Sequence, residues 1–325
     1  MLRSLSIIFL IAGLLLPSEA QESSDLKILV IVGASGTDDF GEIFAETALK
    51  WKEAAVRGRA DIQIIGKSPD KVADGETHQD AELLRQAIKD TTTPELWIVL
   101  IGHGTFDSRS AKFNARGPDF TDSELAAWVV DYQGELTVIN TASASGSFIS
   151  RLSAPNRIII TANKNEGEIF YTRFGGYFAE AVGGLPDADL DNDDQVSLLE
   201  SFLYASDRVA EFYESEGRLS TEHALLDDNG DLQGSRSEWF DGTTATETPG
   251  KDAEPDGERA GQKVLVKNDF ERRLTQEQRS QRDKLERDVK QLRRNRDSLQ
   301  EDDYYAQLET LLLQLARIYE EVGDS

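Results

Sequence analysis

Two stretches of the chain carry the residue types that nucleophilic chemistry needs. One is Ile101-Gly102-His103-Gly104-Thr105, and the other is the run of small hydroxyl residues from Asn140 to Ser147, with Ser143 near its centre. An imidazole titrates near neutrality and can take up and return a proton. A serine hydroxyl becomes a nucleophile only when such a base stands beside it. Ser143 does not sit in a Gly-x-Ser-x-Gly elbow, because Thr141 and Ser145 occupy the glycine positions around it.

These residues would be positioned by strands. Leu96 to Ile101 and Leu136 to Ile139 are compact apolar runs, each closed by glycine or small polar residues, and both read as buried strands. Leu26 to Val32, Ile62 to Ile65 and Arg157 to Ala162 have the same character. Between them lie amphipathic helical stretches: Phe40 to Val56, with Phe40, Phe44, Thr47, Trp51 and Ala55 on one face, and Asp80 to Lys89. A helix opening at the capping box Thr121-Asp122-Ser123-Glu124 and long helices over Tyr171–Val182 and Ser197–Glu216 complete the set. Strands alternating with helices predict an α/β sandwich with a mainly parallel sheet. In such a sheet, residues just past the carboxyl ends of neighbouring strands meet in one crevice, which is where His103 and Ser143 fall. The polar connection from Thr105 to Phe120 reads as a long functional or mobile loop. Gly33 and Gly36 after the first strand lack the third glycine of a dinucleotide fingerprint and any Gly-Lys-Ser/Thr, so they predict a plain βα turn.

The same residues resemble those of the legumain-like and caspase-like cysteine peptidases. In that family a His-Gly follows one strand and an Ala-Cys-x-Ser-Gly-Ser-like loop follows the next. Here Ala142 to Ser147 is similar to that loop, with Ser143 at the cysteine position, and the chain contains no cysteine. The resemblance spans roughly Asp25 to Asp231. It includes Lys112 to Asp119 and Thr221 to Asp231, which resemble bacterial members. It implies a caspase-like three-layer sandwich and a cysteine-type endopeptidase class. It further implies His103 as dyad base, Gly104 at the oxyanion and Ser143 in place of the nucleophile. Three readings stay open: a peptidase fold that keeps its groove for binding peptide or protein, a hydrolase using Ser143 and His103, and loop residues satisfying local hydrogen bonds. His78 and His223 read as structural or solvated.

A second kind of chemistry is written in Asp189-Leu190-Asp191-Asn192-Asp193-Asp194-Gln195-Val196-Ser197-Leu198-Leu199-Glu200. Asp189, Asp191, Asp193 and Glu200 match positions one, three, five and twelve of the EF-hand calcium loop, and Gln195 offers its carbonyl at seven. Position six is Asp194 where glycine is usual; aspartate tolerates the left-handed conformation better than most residues. The expectation is a structural calcium ion. Asp227, Asn229 and Asp231 repeat the alternation, and that stretch reads as an acidic Asn-Gly turn.

The 325 residues include 60 acidic and 35 basic side chains, a formal net charge of −25, which disfavours binding to nucleic acid or anionic membrane. Arg3, the apolar run Leu5 to Leu16 and Ser18-Glu19-Ala20 before Gln21 read as a secretory signal peptide over 1–20. A periplasmic or secreted protein, off the membrane once the signal is cleaved, is expected, with the catalytic-type domain over 25–235. Residues 241–262 have almost no apolar side chains and read as a disordered linker. Two helices, Asp269 to Leu299 and Asp303 to Val322, are predicted beyond it. The second has the seam Tyr304, Leu308, Leu311, Leu315, Ile318 and Val322. So polar a hairpin, over 269–322, is expected to dock on the main domain or to self-associate.

Overall fold

The computed structural model describes residues 24–66, 79–250 and 253–323; the signal-peptide stretch and His78 lie outside them. Its centre is a six-stranded sheet. The first strands are β1 (Leu26–Val32), β2 (Asp61–Ile65) and β3 (Glu95–Ile101). A separate three-stranded antiparallel sheet follows, made of β4 (Gly104–Phe106), β5 (Ala111–Phe113) and β6 (Phe120–Thr121). The central sheet is completed by β7 (Glu135–Asn140), β8 (Arg157–Thr161) and β9 (Leu225–Asp227). Its order is β2-β1-β3-β7-β8-β9, parallel throughout except for β9, which runs antiparallel along β8.

The pleat of the strands sorts the core into two layers. Ile28, Val30 and Val32 of β1, with Trp97, Val99 and Ile101 of β3, face α1 (Asp38–Gly58), α5 (Phe174–Ala181) and α6 (Leu198–Ser215). Leu29, Ile31, Leu96, Ile98 and Leu100 face the other way, onto α2 (Asp80–Asp90), α3 (Asp122–Trp128) and α4 (Ser147–Leu152). Both faces are therefore apolar, as parallel strands covered on both sides require. The result is a three-layer α/β sandwich with a largely parallel sheet and C-terminal helices. Thr121 and Ser197 each form the reciprocal capping box that the sequence spells, at the starts of α3 and α6.

Three expectations need revision. The connection after His103 is the β4–β6 sheet, whose Ala111, Phe113 and Phe120 are buried against α3. The stretch 241–262 contains two short antiparallel strands, Phe240–Asp241 and Thr244–Ala245, and Asp256 and Ala260 are buried in the main domain. Its few apolar residues concealed this, because carboxylates and backbone N–H groups do the anchoring: Asp228 accepts from the N–H groups of Gly257, Arg259 and Ala260. Finally, the first predicted C-terminal helix is broken. Asn268 caps α7 (Asp269–Arg273), and Thr275 starts α8 (Gln276–Arg294) with its own capping box, ahead of α9 (Glu301–Gly323). Leu274, Leu285, Val289, Leu315, Ile318 and Val322 form the small core of this hairpin. It docks on the chain's own connector, where Gln262 Nε2 donates to the Asp283 carbonyl at 2.9 Å and Arg294 pairs with Glu258. The connector is tied in turn to the sheet by Lys263, paired with Glu95 and Glu135, and by Leu265, buried in the main core.

Candidate functional site

Strands β3 and β7 are parallel neighbours in register from Glu95↔Glu135 to Leu100↔Asn140, so the loops that leave them start side by side. Thr141 anchors the second loop at its root: its N–H and its hydroxyl both donate to the Leu100 carbonyl, at 3.0 and 2.8 Å. Asn140 Oδ1 accepts from the Ala142 N–H, and Ser145 Oγ accepts from the Asn163 N–H. Ala144 takes a left-handed φ of 53° and donates to the Glu168 carbonyl at 2.8 Å. This bonding fixes where Ser143 stands.

Ser143 and Gly104 are locked together. The Gly104 N–H donates to Ser143 Oγ and the Ser143 hydroxyl donates to the Gly104 carbonyl, both at 3.1 Å. Ser143 is only 4% exposed. A Cβ at Gly104 would lie 2.1 Å from the Ser143 carbonyl oxygen, so glycine is required by close approach of two backbones. The N–H that the resemblance assigns to an oxyanion is thus engaged by the serine side chain.

His103 is half-buried and turned elsewhere. Its Nε2 lies 3.2 Å from the Ser35 carbonyl, which makes Nε2 the protonated nitrogen and leaves Nδ1 as the basic one. Phe40 and Phe44 from α1 meet the ring edge-on, at centroid separations of 4.6 and 5.1 Å, and Tyr171 approaches at 6.4 Å. No hydrogen bond joins His103 to Ser143 among the described residues. The topology brings both to one sheet edge, while the local bonding gives each a separate partner. Ser35, on the turn after β1, was missed as an orienting group, because only the adjacency of β1 and β3 brings its carbonyl to the histidine.

Behind the Ser143 loop, Glu168 binds His223, with Oε1 2.6 Å from Nδ1, and accepts from Asn163 Nδ2 and the Lys164 N–H. His223, read from sequence as structural or solvated, is thus paired with Glu168. Its neighbour Glu222 lines a cavity of about 120 Å³ together with Phe174, Ser206 and His223. Glu222 Oε2 accepts from the Arg173 and Phe174 N–H groups at the start of α5. Its Oε1 is buried without a hydrogen-bond partner among the described residues, and burial pushes its pKa up to about 6.

The acidic loop from Asp189 brings the carboxylates of Asp189, Asp191 and Asp193 within 4.8 Å of one another, partly buried to exposed. Asn192 and Asp194 are left-handed, with φ of 59° and 64°, so the aspartate at the sixth position adopts the turn expected of it. Asp189 accepts from the N–H groups of Asp193 and Asp194, and Asp193 Oδ1 from that of Gln195. Burial, followed by the charges of Glu200, Asp193 and Asp189, raises the Asp191 pKa to about 6. Three carboxylates so close together offer the all-oxygen donor set that a hard cation takes. Glu200 stands apart from this group. Its Oε1 accepts from the Leu190 and Asp191 N–H groups and its Oε2 from Ser197, so it closes the loop and caps α6. Gln195 Oε1 accepts from the Asn268 N–H, and Asn268 Nδ2 donates to the Asp193 carbonyl, which joins this loop to the start of α7.

No family model matches the chain, and no curated protein does. Among solved structures it is similar to the Drosophila initiator caspase Dronc, at 13% identity over 65% of this chain and 82% of that one, with a TM-score of 0.38. It is similar to caspase-1 from Spodoptera frugiperda at 9% identity over 63% and 87%, with a TM-score of 0.39. A secreted cysteine protease from Bacteroides thetaiotaomicron, iotapain, shows 12% identity over 65% and 68%, with a TM-score of 0.36. At these scores none of the three assigns a role to a residue. Among the described residues no helix is long and apolar enough to cross a membrane.

Proposed function

We propose that this chain is an exported relative of the caspase-like and legumain-like peptidases whose crevice binds peptide without hydrolysing it. The observation that carries this reading is the reciprocal pair between Ser143 and Gly104. The serine's single proton points at a carbonyl and its oxygen receives the N–H that an oxyanion would need. An alcohol in that setting lacks the base that would activate it. Peptide binding is supported by the exposed apolar rim that flanks the crevice, with Ile169 and Phe170 59% and 64% exposed on the loop that Glu168 ties to Ala144. The hydrolase reading keeps one supporting observation: His103 is already oriented by the Ser35 carbonyl beside the Ser143 loop. We also assign calcium to the Asp189 loop as a structural ion, because its donors are all oxygens and three of them are anionic.

Incubation of the mature protein with a mixed peptide library is the deciding experiment. The expected result is saturable binding of a subset of peptides, weakened in an Ile169→Ala, Phe170→Ala double variant, with no cleavage above background. Turnover by the wild type that disappears in Ser143→Ala would establish the hydrolase instead.

A further inference from the structure

We propose that the turn after β9 is a second divalent-cation site, for calcium, with Asp227, Asn229, Asp231 and the Gln233 carbonyl as its protein ligands. The two acidic loops follow one plan. Asp189, Asp191, Asp193 and Gln195 alternate in the first as Asp227, Asn229, Asp231 and Gln233 do in the second. The fourth and sixth residues are left-handed in both: Asn192 and Asp194 at 59° and 64°, Gly230 and Leu232 at 84° and 72°. In both, the N–H of the seventh residue donates to the carboxylate of the fifth, Gln195 to Asp193 at 2.9 Å and Gln233 to Asp231 at 2.8 Å.

A shared backbone plan alone does not call for an ion; the leftover oxygens do. Asp227 is 1% exposed. Its Oδ1 accepts from the Gly230 N–H across the turn, while its Oδ2 is buried with no hydrogen-bond partner among the described residues. Asp231 repeats this: Oδ1 serves Gln233 and Oδ2 is buried and unpartnered. Ser153 packs beside this turn, where its oxygen accepts from the Leu232 N–H at 3.0 Å. Two desolvated carboxylate oxygens on one short turn, neither with a hydrogen-bond donor among the described residues, call for a cation.

Glu238 falls at the twelfth position of this loop, where an EF-hand places its bidentate glutamate. The chain turns back beside β9 through the antiparallel bridge of Leu226 with Ser235, which carries Glu238 to the cavity shared with Glu222 and His223. The second site therefore has two carboxylates where the first has three, and it binds calcium more weakly. Both loops fasten the same connector. Asp256 Oδ1 accepts from the Asp228 and Asn229 N–H groups, as Asn268 holds the first loop. Occupancy of the second site secures the segment that leads to the C-terminal hairpin.

Mature protein freed of metal by chelation and titrated calorimetrically with calcium alone tests this. Two ions per chain are expected in the wild type, the weaker lost in Asp231→Asn and the tighter lost in Asp191→Asn. The amide in Asp231→Asn keeps an oxygen for the Gln233 N–H, and circular dichroism checks the fold. Should that variant not fold, Asn229→Ala is expected to weaken the second binding about tenfold and leave the first unchanged. A single ion lost in Asp191→Asn and indifferent to both Asp231→Asn and Asn229→Ala overturns the second site while leaving the first standing. No binding at all overturns both.

Discussion

The Ser143 loop and the turn after β9 are built from similar material and end up in opposite states. Each leaves the end of a central strand, and each carries polar side chains that are almost fully buried. In the first, the hydroxyls of Thr141, Ser143 and Ser145 and the amide oxygen of Asn140 all have backbone partners within the domain. In the second, two carboxylate oxygens have none among the described residues. The stretch that resembles a catalytic loop is thus a closed hydrogen-bonded clasp, whereas the stretch that resembles an ordinary acidic turn holds unsatisfied charge. Residue types indicated where chemistry was conceivable, and the bonds already made locally decide where a ligand is still called for.

The sharpest way to test the clasp is to wedge it open. In Gly104→Ala the new methyl would collide with the Ser143 carbonyl oxygen and lie 3.1 Å from the Lys112 carbonyl oxygen, both backbone atoms that cannot rotate away. Destabilisation of ~3 kcal/mol or more is expected from denaturant unfolding. A value under ~1 kcal/mol would mean that the two loops separate freely, as a working crevice would allow. Ser143→Ala comes next. It removes both bonds to Gly104 and leaves that residue's buried N–H and carbonyl unpaired, an expected loss of ~1–3 kcal/mol. A serine kept only for catalysis would leave stability within ~0.5 kcal/mol of wild type. The two variants therefore separate a structural from a catalytic serine by stability alone.

How far the sequence foretold this depends on the range of the interactions involved. The five parallel strands and the capping box at Thr121 were legible because their signals are local: continuous apolar runs, and a hydroxyl three residues before a glutamate; the same signal at Ser197 was passed over because Glu200 reads as a calcium ligand. The left-handed turn at Asp194 was legible for the same reason. Strand β9 was not, since Leu225–Asp227 is three residues long and becomes a strand only by pairing with Ile159 to Thr161. The connector read as disordered because its anchors are Asp228 and Asp256, residues that usually signal solvent, here buried and saturated with N–H donors. At the candidate site, the meeting of His103 and Ser143 on one edge followed from strand order. Their separate partners, Ser35 and Gly104, depend on side-chain directions that no spacing rule contains.

Glu222 offers a third case between the two loops, and the smallest expected effect. It has one satisfied oxygen and one buried oxygen without a partner among the described residues, and a proton relieves it. Its pKa is raised from 4.5 to about 6 by burial, against the lowering pull of the Phe174 and Arg173 N–H groups, the Arg173 charge and the nearby Tyr213 hydroxyl. Between those two pH values the folded chain holds a proton that the unfolded chain has released. Stability from this group is therefore fully present below about pH 4.5 and is lost as pH rises through about 6. The loss amounts to about 2 kcal/mol. Glu222→Gln retains an oxygen for the two N–H donors and cannot ionise. The variant is expected to gain on wild type by up to that amount between pH 4.5 and 7.5, as read from urea midpoints at each pH. A difference that stays flat with pH would show that the leftover oxygen of Glu222 is already solvated, and would remove the contrast drawn between a site awaiting a proton and one awaiting a cation.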